Sequence, residues 1–315
     1  MFYPSERINL HTHSNYCDHA KGGIEDYVAS AMERGLDVLG FTEHAPIPGD
    51  PIGCNMKMVD LPAYVRDVNR AKETHPIHIF MAAECDYEPV LRRYYRDELK
   101  GKYGFDYLIC SIHLYVDQDS RKMAFVSQSK DFTRYLRDYV ARYCSALESK
   151  IFLFGCHPDL FRASYLPWNE NARAAAKDII QCAASLDIPL EINAAGLKKP
   201  QVNAPEGQRC PYSTDEFFTM AKEEGVRIIL SSDAHDPALV ADNFRGRAMA
   251  KRLGIEPLGC TITEEGKLIL QTITYSLTLP AKNLATLPTW AIAASDSASG
   301  NCLTNGMISK FILPL

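Results

Sequence analysis

Along roughly the first 260 residues, short continuous apolar runs alternate with longer stretches in which apolar positions recur every three or four residues. Seven of the short runs read as strands: 8–11, 38–42, 77–83, 107–112, 151–156, 190–193 and 226–231. They are rich in Ile, Leu, Val and Phe and show little polar alternation, the pattern of strands covered on both faces. The longer stretches 24–34, 61–73, 131–148, 169–185 and 213–224 have helical periodicity. In the first of these Val28, Ala31 and Met32 fall on the inward stripe, with Glu25, Asp26, Glu33 and Arg34 on the wet one. Gly35 and Gly225 stand where helices stop, and Ser213 to Glu216 reads as a capping box. Strands alternating with helices predict an α/β fold of the parallel barrel type.

Two later segments break this alternation. Residues 261–270, with Glu264-Glu265-Gly266 in the middle, predict a small hairpin, and residues 281–315 are small, polar and irregular, a C-terminal extension to a domain at 1–280.

Composition narrows the function classes. The chain has 315 residues, 46% of them apolar and 23% charged, with a formal net charge of -5. Mild acidity without a basic, aromatic-studded stretch argues against a nucleic-acid partner. No apolar run reaches the roughly 18 residues of a membrane span. The chain opens directly into a strand without an export leader, so a cytoplasmic location is expected. Its oligomeric state is not encoded legibly. Ten cysteines are present but no CxxC pair, and Cys110, Cys156 and Cys182 sit in apolar surroundings; reduced, packed thiols are expected.

Position carries the functional signal. His11, His13, His44, His113, His157 and His235 fall at or just beyond the C-terminal end of a predicted strand, as do Glu84 and Asp233. In a parallel barrel those ends converge on one face. The steps His11-x-His13 and Asp233-x-His235 put each pair on the same side of an extended chain. Imidazole and carboxylate without cysteine suit Zn, Fe or Mn. His19, in the loop after the first strand, can swing onto the same face. These nine groups exceed the four ligands of a single closed site, so two or three ions are expected, with Glu84 as a bridge. His75 and His78 precede their strand and belong at the opposite end. No GxSxG turn or P-loop is present.

The ordered motifs INLHTHSNYCDHA, GFTEHAP, AECDYEP, SIHL, GCHPDLFR, EINAAGLKKP and SSDAHDP resemble those of the polymerase-and-histidinol-phosphatase (PHP) superfamily, and most of all its monofunctional histidinol-phosphate phosphatases. The resemblance covers about residues 5–260. It implies a distorted (β/α)7 TIM-like barrel with three divalent metal ions at the C-terminal face of the strands. His11, His13, Glu84 and Asp233 would hold one ion; Glu84, His113 and His157 a second; His19, His44 and His235 the third. It also implies a phosphoric monoester hydrolase acting on L-histidinol phosphate, a small-molecule ester, in histidine biosynthesis. Arg162 is expected to grip the phosphate, with Lys198 and Lys199 at the same rim. Glu191, Asn193 and Asp159 are expected around the substrate's ammonium and imidazole, and Asp18 is a candidate proton donor. Asn15, Asp18 and Glu43 could orient ligands. The rival readings are a PHP phosphoesterase for another small ester or nucleotide, and a metal-binding module without turnover.

Overall fold

The structure, a computed structural model, describes residues 1–49, 55–117, 122–125 and 132–272; the expected extension at 281–315 lies outside them. Met1–Ile273 form one compact unit. In chain order the strands are β1 (Phe2–Tyr3), β2 (Ile8–Asn9), β3 (Val38–His44), β4 (His78–Asp86), β5 (Tyr107–Ser111), β6 (Leu114–Asp117), β7 (Lys122–Phe125), β8 (Leu190–Asn193), β9 (Val202–Ala204), β10 (Gly207–Arg209), β11 (Ile228–Ser231), β12 (Gly259–Ile262) and β13 (Leu268–Gln271). The helices are α1 (Ile24–Glu33), α2 (Leu61–Thr74), α3 (Phe132–Glu148), α4 (Glu170–Leu186), α5 (Ala194–Lys198), α6 (Asp215–Glu223) and α7 (Phe244–Leu253).

The result is an α/β fold around a curled parallel sheet. β2, β3, β4 and β5 pair in that order, all parallel, and β8 pairs with β11 in parallel from Leu190↔Ile228 to Asn193↔Ser231. The expected strand at 151–156 contributes single parallel bridges, with Gly155 joined to Cys110 and to Leu190. A further parallel bridge joins Thr12 to Ala234.

Double burial explains the apolar strands. Along β4, Phe80 and Ala82 pack with Ile8, Leu10, Val38 and Ile109 on one face, while Ile79, Met81 and Ala83 pack under the helices on the other. Gly40 is required in β3: a Cβ there would overlap the Tyr107 ring, whose hydroxyl donates to Leu10 O at 2.8 Å.

Several local expectations change. Met32 is 41% exposed; the inward stripe of α1 is Ile24, Tyr27, Val28 and Ala31. Gly35 and Gly225 do stop their helices, at φ +78° and +73°. The capping box before α6 does not form. Instead the Asp159 carboxylate accepts from Ser213 N (3.0 Å), Thr214 N (2.7 Å) and the Thr214 hydroxyl (2.8 Å), closing that helix end from another loop. The hairpin at 261–270 is present as β12 and β13, with β1 as a third strand. Two further hairpins, β6–β7 and β9–β10, lack a pattern long enough to read.

Candidate metal centre

The parallel strands deliver their C-terminal residues to one end, and the nine expected groups meet there. Glu84 is the hub. Its Oε2 lies 3.4 Å from His11 Nε2, 3.3 Å from His13 Nε2 and 3.2 Å from His44 Nδ1. Its Oε1 lies 2.8 Å from His157 Nε2 and 3.6 Å from His113 Nε2. Asp233 Oδ1 faces His13 Nε2 at 3.2 Å, His11 Nε2 at 3.6 Å and His235 Nδ1 at 3.5 Å. His19 joins through His235, Nε2 to Nε2 at 3.0 Å. One carboxylate thus faces five imidazoles from four separate segments of chain.

Electrostatics divide the cluster in two. Burial alone would depress His11, but the carboxylates of Glu191, Asp233 and Glu84 outweigh it and raise its pKa to about 10. His113 is raised to about 9, with Asp86 and Glu84 overcoming burial. Glu84 and Asp233 are conversely held well below the carboxylate range, because surrounding imidazoles outweigh their burial. At the rim, burial and the His13 charge lower His19 and bring His235 down to about 4, and burial holds His44 well below its ordinary value. The carboxylates thus favour the charged form of His11 and His113, while burial disfavours charge on His19, His44 and His235.

The donor set fits divalent cations. Asp233 Oδ1 is buried and takes no well-aligned hydrogen bond. Ligand atoms of His11, His13 and Asp233 lie within 4.8 Å of one another, as do those of His13, His44 and Glu84 and those of His19, His44 and His235. Ring nitrogens face one another at 3.1 Å between His11 and His13 and at 3.0 Å between His19 and His235, a spacing at which neutral imidazoles can ligate a shared cation.

A model of the PHP domain matches residues 9–195, more than half of the chain. The chain belongs to the PHP domain family. It is 28% identical over 240 residues to the "Probable histidinol-phosphatase" of Deinococcus radiodurans, covering 74% of this chain and 88% of that protein. It is 23% identical over 257 residues to the histidinol-phosphatase of Bacillus subtilis, covering 71% and 92%. In fold it is similar to the crystal structure of histidinol phosphate phosphatase from Lactococcus lactis complexed with zinc, L-histidinol and phosphate. The TM-score is 0.62 at 19% identity, over 84% of this chain and 99% of that one.

This PHP chain places the remaining expected residues at different depths. A cavity of about 900 Å³ opens over the cluster, with Asp18, Asn55, Asp86, Lys198, Lys199 and Tyr212 in its wall. Lys198 Nζ lies 3.4 Å from Asp242; Lys199 Nζ sits over the Tyr212 ring, 6.0 Å from its centroid. Asp18 is half-exposed, 3.1 Å from Lys57. Glu191 and Asn193, expected to touch substrate, lie beneath the ligands. His11 Nδ1–H donates to Glu191 Oε1 at 2.8 Å, His157 N donates to Glu191 Oε2 at 2.9 Å, and Asn193 Nδ2 donates to Glu191 and Asp233.

Arg162 also lies away from the cavity. It is fully buried, donates through Nη1 to Tyr165 O and Pro167 O, and stacks 5.0 Å from the Trp168 centroid. Asp159 is committed to the α6 terminus. Glu43 points away from His44, as alternation demands, and accepts from Ser14 N and Oγ; burial raises it to about 7. Asn15 starts a short turn and its backbone N–H donates to Gly22 O.

Asp86 is the residue sequence reasoning missed. Its oxygens accept from His113 N (2.5 Å) and His113 Nδ1 (3.0 Å), aiming Nε2 of that ring at Glu84. The signal was available: two residues past Glu84 on a continuing strand falls on the same face. Among the described residues no helix is long and apolar enough to cross a membrane.

Proposed function

We propose that the chain is a metal-dependent phosphomonoesterase that hydrolyses L-histidinol phosphate to L-histidinol and phosphate, acting in the cytoplasm in histidine biosynthesis. One observation carries the reading: a single buried carboxylate, Glu84, gathers five imidazoles from four chain segments at the floor of a cavity with lysines in its wall. The names of the relatives and the zinc, histidinol and phosphate in the Lactococcus protein's structure support the substrate. The unit at 1–280 is taken as a distorted (β/α)7 barrel. The parallel ladders and the Gly155 and Thr12–Ala234 bridges support that closure.

Three divalent ions are the natural load of nine ligands: His11, His13, Glu84 and Asp233; Glu84, His113 and His157; His19, His44 and His235. Such ions supply an activated water and neutralise phosphoryl charge. The chain's own groups do the rest. Lys198 and Lys199 draw the phosphate to the cavity and compensate its charge. Asp18, at the wetter edge, or a neighbouring histidine is the candidate donor of the proton that the leaving alkoxide takes. Glu191 and Asn193 act from behind, holding His11 and Asp233 in one orientation, and Arg162 braces the 159–167 turn that carries Leu160 and Ala163 to the cavity wall.

The test is phosphate release by purified protein supplied with Mn or Zn. L-Histidinol phosphate should be turned over far faster than nucleoside monophosphates. Equal or reversed rates would reassign the substrate. A fully loaded protein inert on every ester would leave a binding module.

A further inference from the structure

We propose that Cys144 and Cys182 form a peroxide-reactive thiol pair that closes into a reversible disulfide between α3 and α4. The sequence reads Cys182 as a reduced, packed thiol, but both residues are only half-buried, on two helices packed against each other. Each thiol reaches the other's helix: Cys144 Sγ lies 3.8 Å from Asp178 O, one turn before Cys182, and Cys182 Sγ lies 3.7 Å from Cys144 O. Cys85, Cys110 and Cys156, by contrast, are fully buried in the sheet.

The pair is chemically asymmetric. A hydrogen bond from the Cys144 thiol lowers the Cys182 pKa, while the same bond raises that of Cys144. Cys182 is therefore the sulfur that attacks first. Its thiolate displaces one peroxide oxygen as water, breaking the O–O bond and leaving a sulfenic acid. The Cys144 sulfur then attacks that sulfur and the second oxygen leaves as water. Two sulfurs lose two electrons in total, and one peroxide is reduced to two waters. A dithiol reductant reverses the step.

The location connects the pair to the metal end. Cys144 adjoins Tyr143, whose hydroxyl donates to Cys156 O at 2.9 Å, and Tyr139, one turn earlier, donates to Pro158 O at 3.0 Å. α3 therefore clamps the segment that carries His157, and a covalent tie from α3 to α4 stiffens that clamp.

The test does not depend on catalysis. Full-length protein is treated with stoichiometric hydrogen peroxide, alkylated and digested with trypsin, which isolates Cys144 in peptide 143–150 and Cys182 in peptide 178–198. The expected product is these two peptides joined, lighter by two hydrogens, and released by dithiothreitol. The treated chain should also melt about 5 °C higher, as closing a loop of this size implies. Cys144→Ser and Cys182→Ser should fold normally and show no such shift. Alkylation of both thiols after treatment, a Cys182 oxidised to sulfinic acid beside a free Cys144, or a bridge to another cysteine would each overturn the proposal.

Discussion

Histidines occupy both ends of the parallel strands, and the two ends treat them oppositely. At the N-terminal end His78 Nε2 meets the Tyr3 hydroxyl at 2.8 Å and His75 Nε2 meets Glu25 at 2.7 Å. Each has one ordinary partner and access to water, and nothing further is asked of it. At the C-terminal end seven rings crowd two buried carboxylates and one another. Hydrogen bonds do not satisfy this cluster completely: His13 Nδ1, His157 Nδ1 and Asp233 Oδ1 are buried without a hydrogen-bond partner. The difference teaches that convergence marks the chemistry, and residue type does not.

Substitution at equivalent depth in the two ends separates them most sharply. Glu84→Gln keeps the shape of the hub and removes its charge. Activity should fall by more than the roughly 100-fold that partners behind metal ligands command, with fewer metal ions per chain by elemental analysis. His78→Gln should leave metal content intact and stability within about 0.5 kcal/mol. If Glu84→Gln retained a full metal complement and near-normal turnover, the hub role would be lost.

The contrast was largely legible in sequence because strand geometry is simple. Side chains alternate, parallel strands point one way, and a histidine one residue past a strand must sit at its C-terminal end; His11, His13, His44, Glu84 and Asp233 follow from that alone. What was not legible depends on rotamers and on loops. Arg162 sits five residues from His157, near enough to suggest a phosphate contact, yet it is fully buried and its Nη1 donates to the Tyr165 and Pro167 carbonyls. Glu191 reads in sequence as a substrate contact, but its oxygens lie on His11 and on the His157 backbone. Ser213 has the right spacing for a cap but takes φ +55° and yields the role to Asp159.

The brace gives the intermediate effect. Glu191→Gln removes the charge that raises His11 and orients its ring, while filling the same volume. Metal affinity should weaken by about 10- to 100-fold, and activity at saturating metal should recover in part. Titration of the metal-free protein with Zn, followed by calorimetry, measures it; an unchanged affinity would show that Glu191 merely fills space.

The smallest effect belongs to Asp159, which lies near the centre without touching it. Its carboxylate replaces the missing cap of α6, so Asp159→Ala should cost about 1 to 2 kcal/mol in denaturant unfolding, the range of a helix N-cap. Asp159→Asn keeps an acceptor and should cost less. The pH dependence distinguishes cap from charge. Burial raises the Asp159 pKa against the opposing hydrogen bonds from Thr214 and Ser213. A carboxyl raised on folding is held ionised at a cost, which is present above its folded pKa and disappears as the pH falls through it. The wild-type chain should therefore gain stability relative to Asp159→Asn as the pH is lowered from neutrality into the carboxyl range. A difference that stayed flat, or grew in the other direction, would mean that the ionised form is the one this helix end prefers. The cap would then resemble the Glu84 hub, whose charge is favoured by its surroundings, and the distinction between a structural and a functional buried carboxylate would fail at this position.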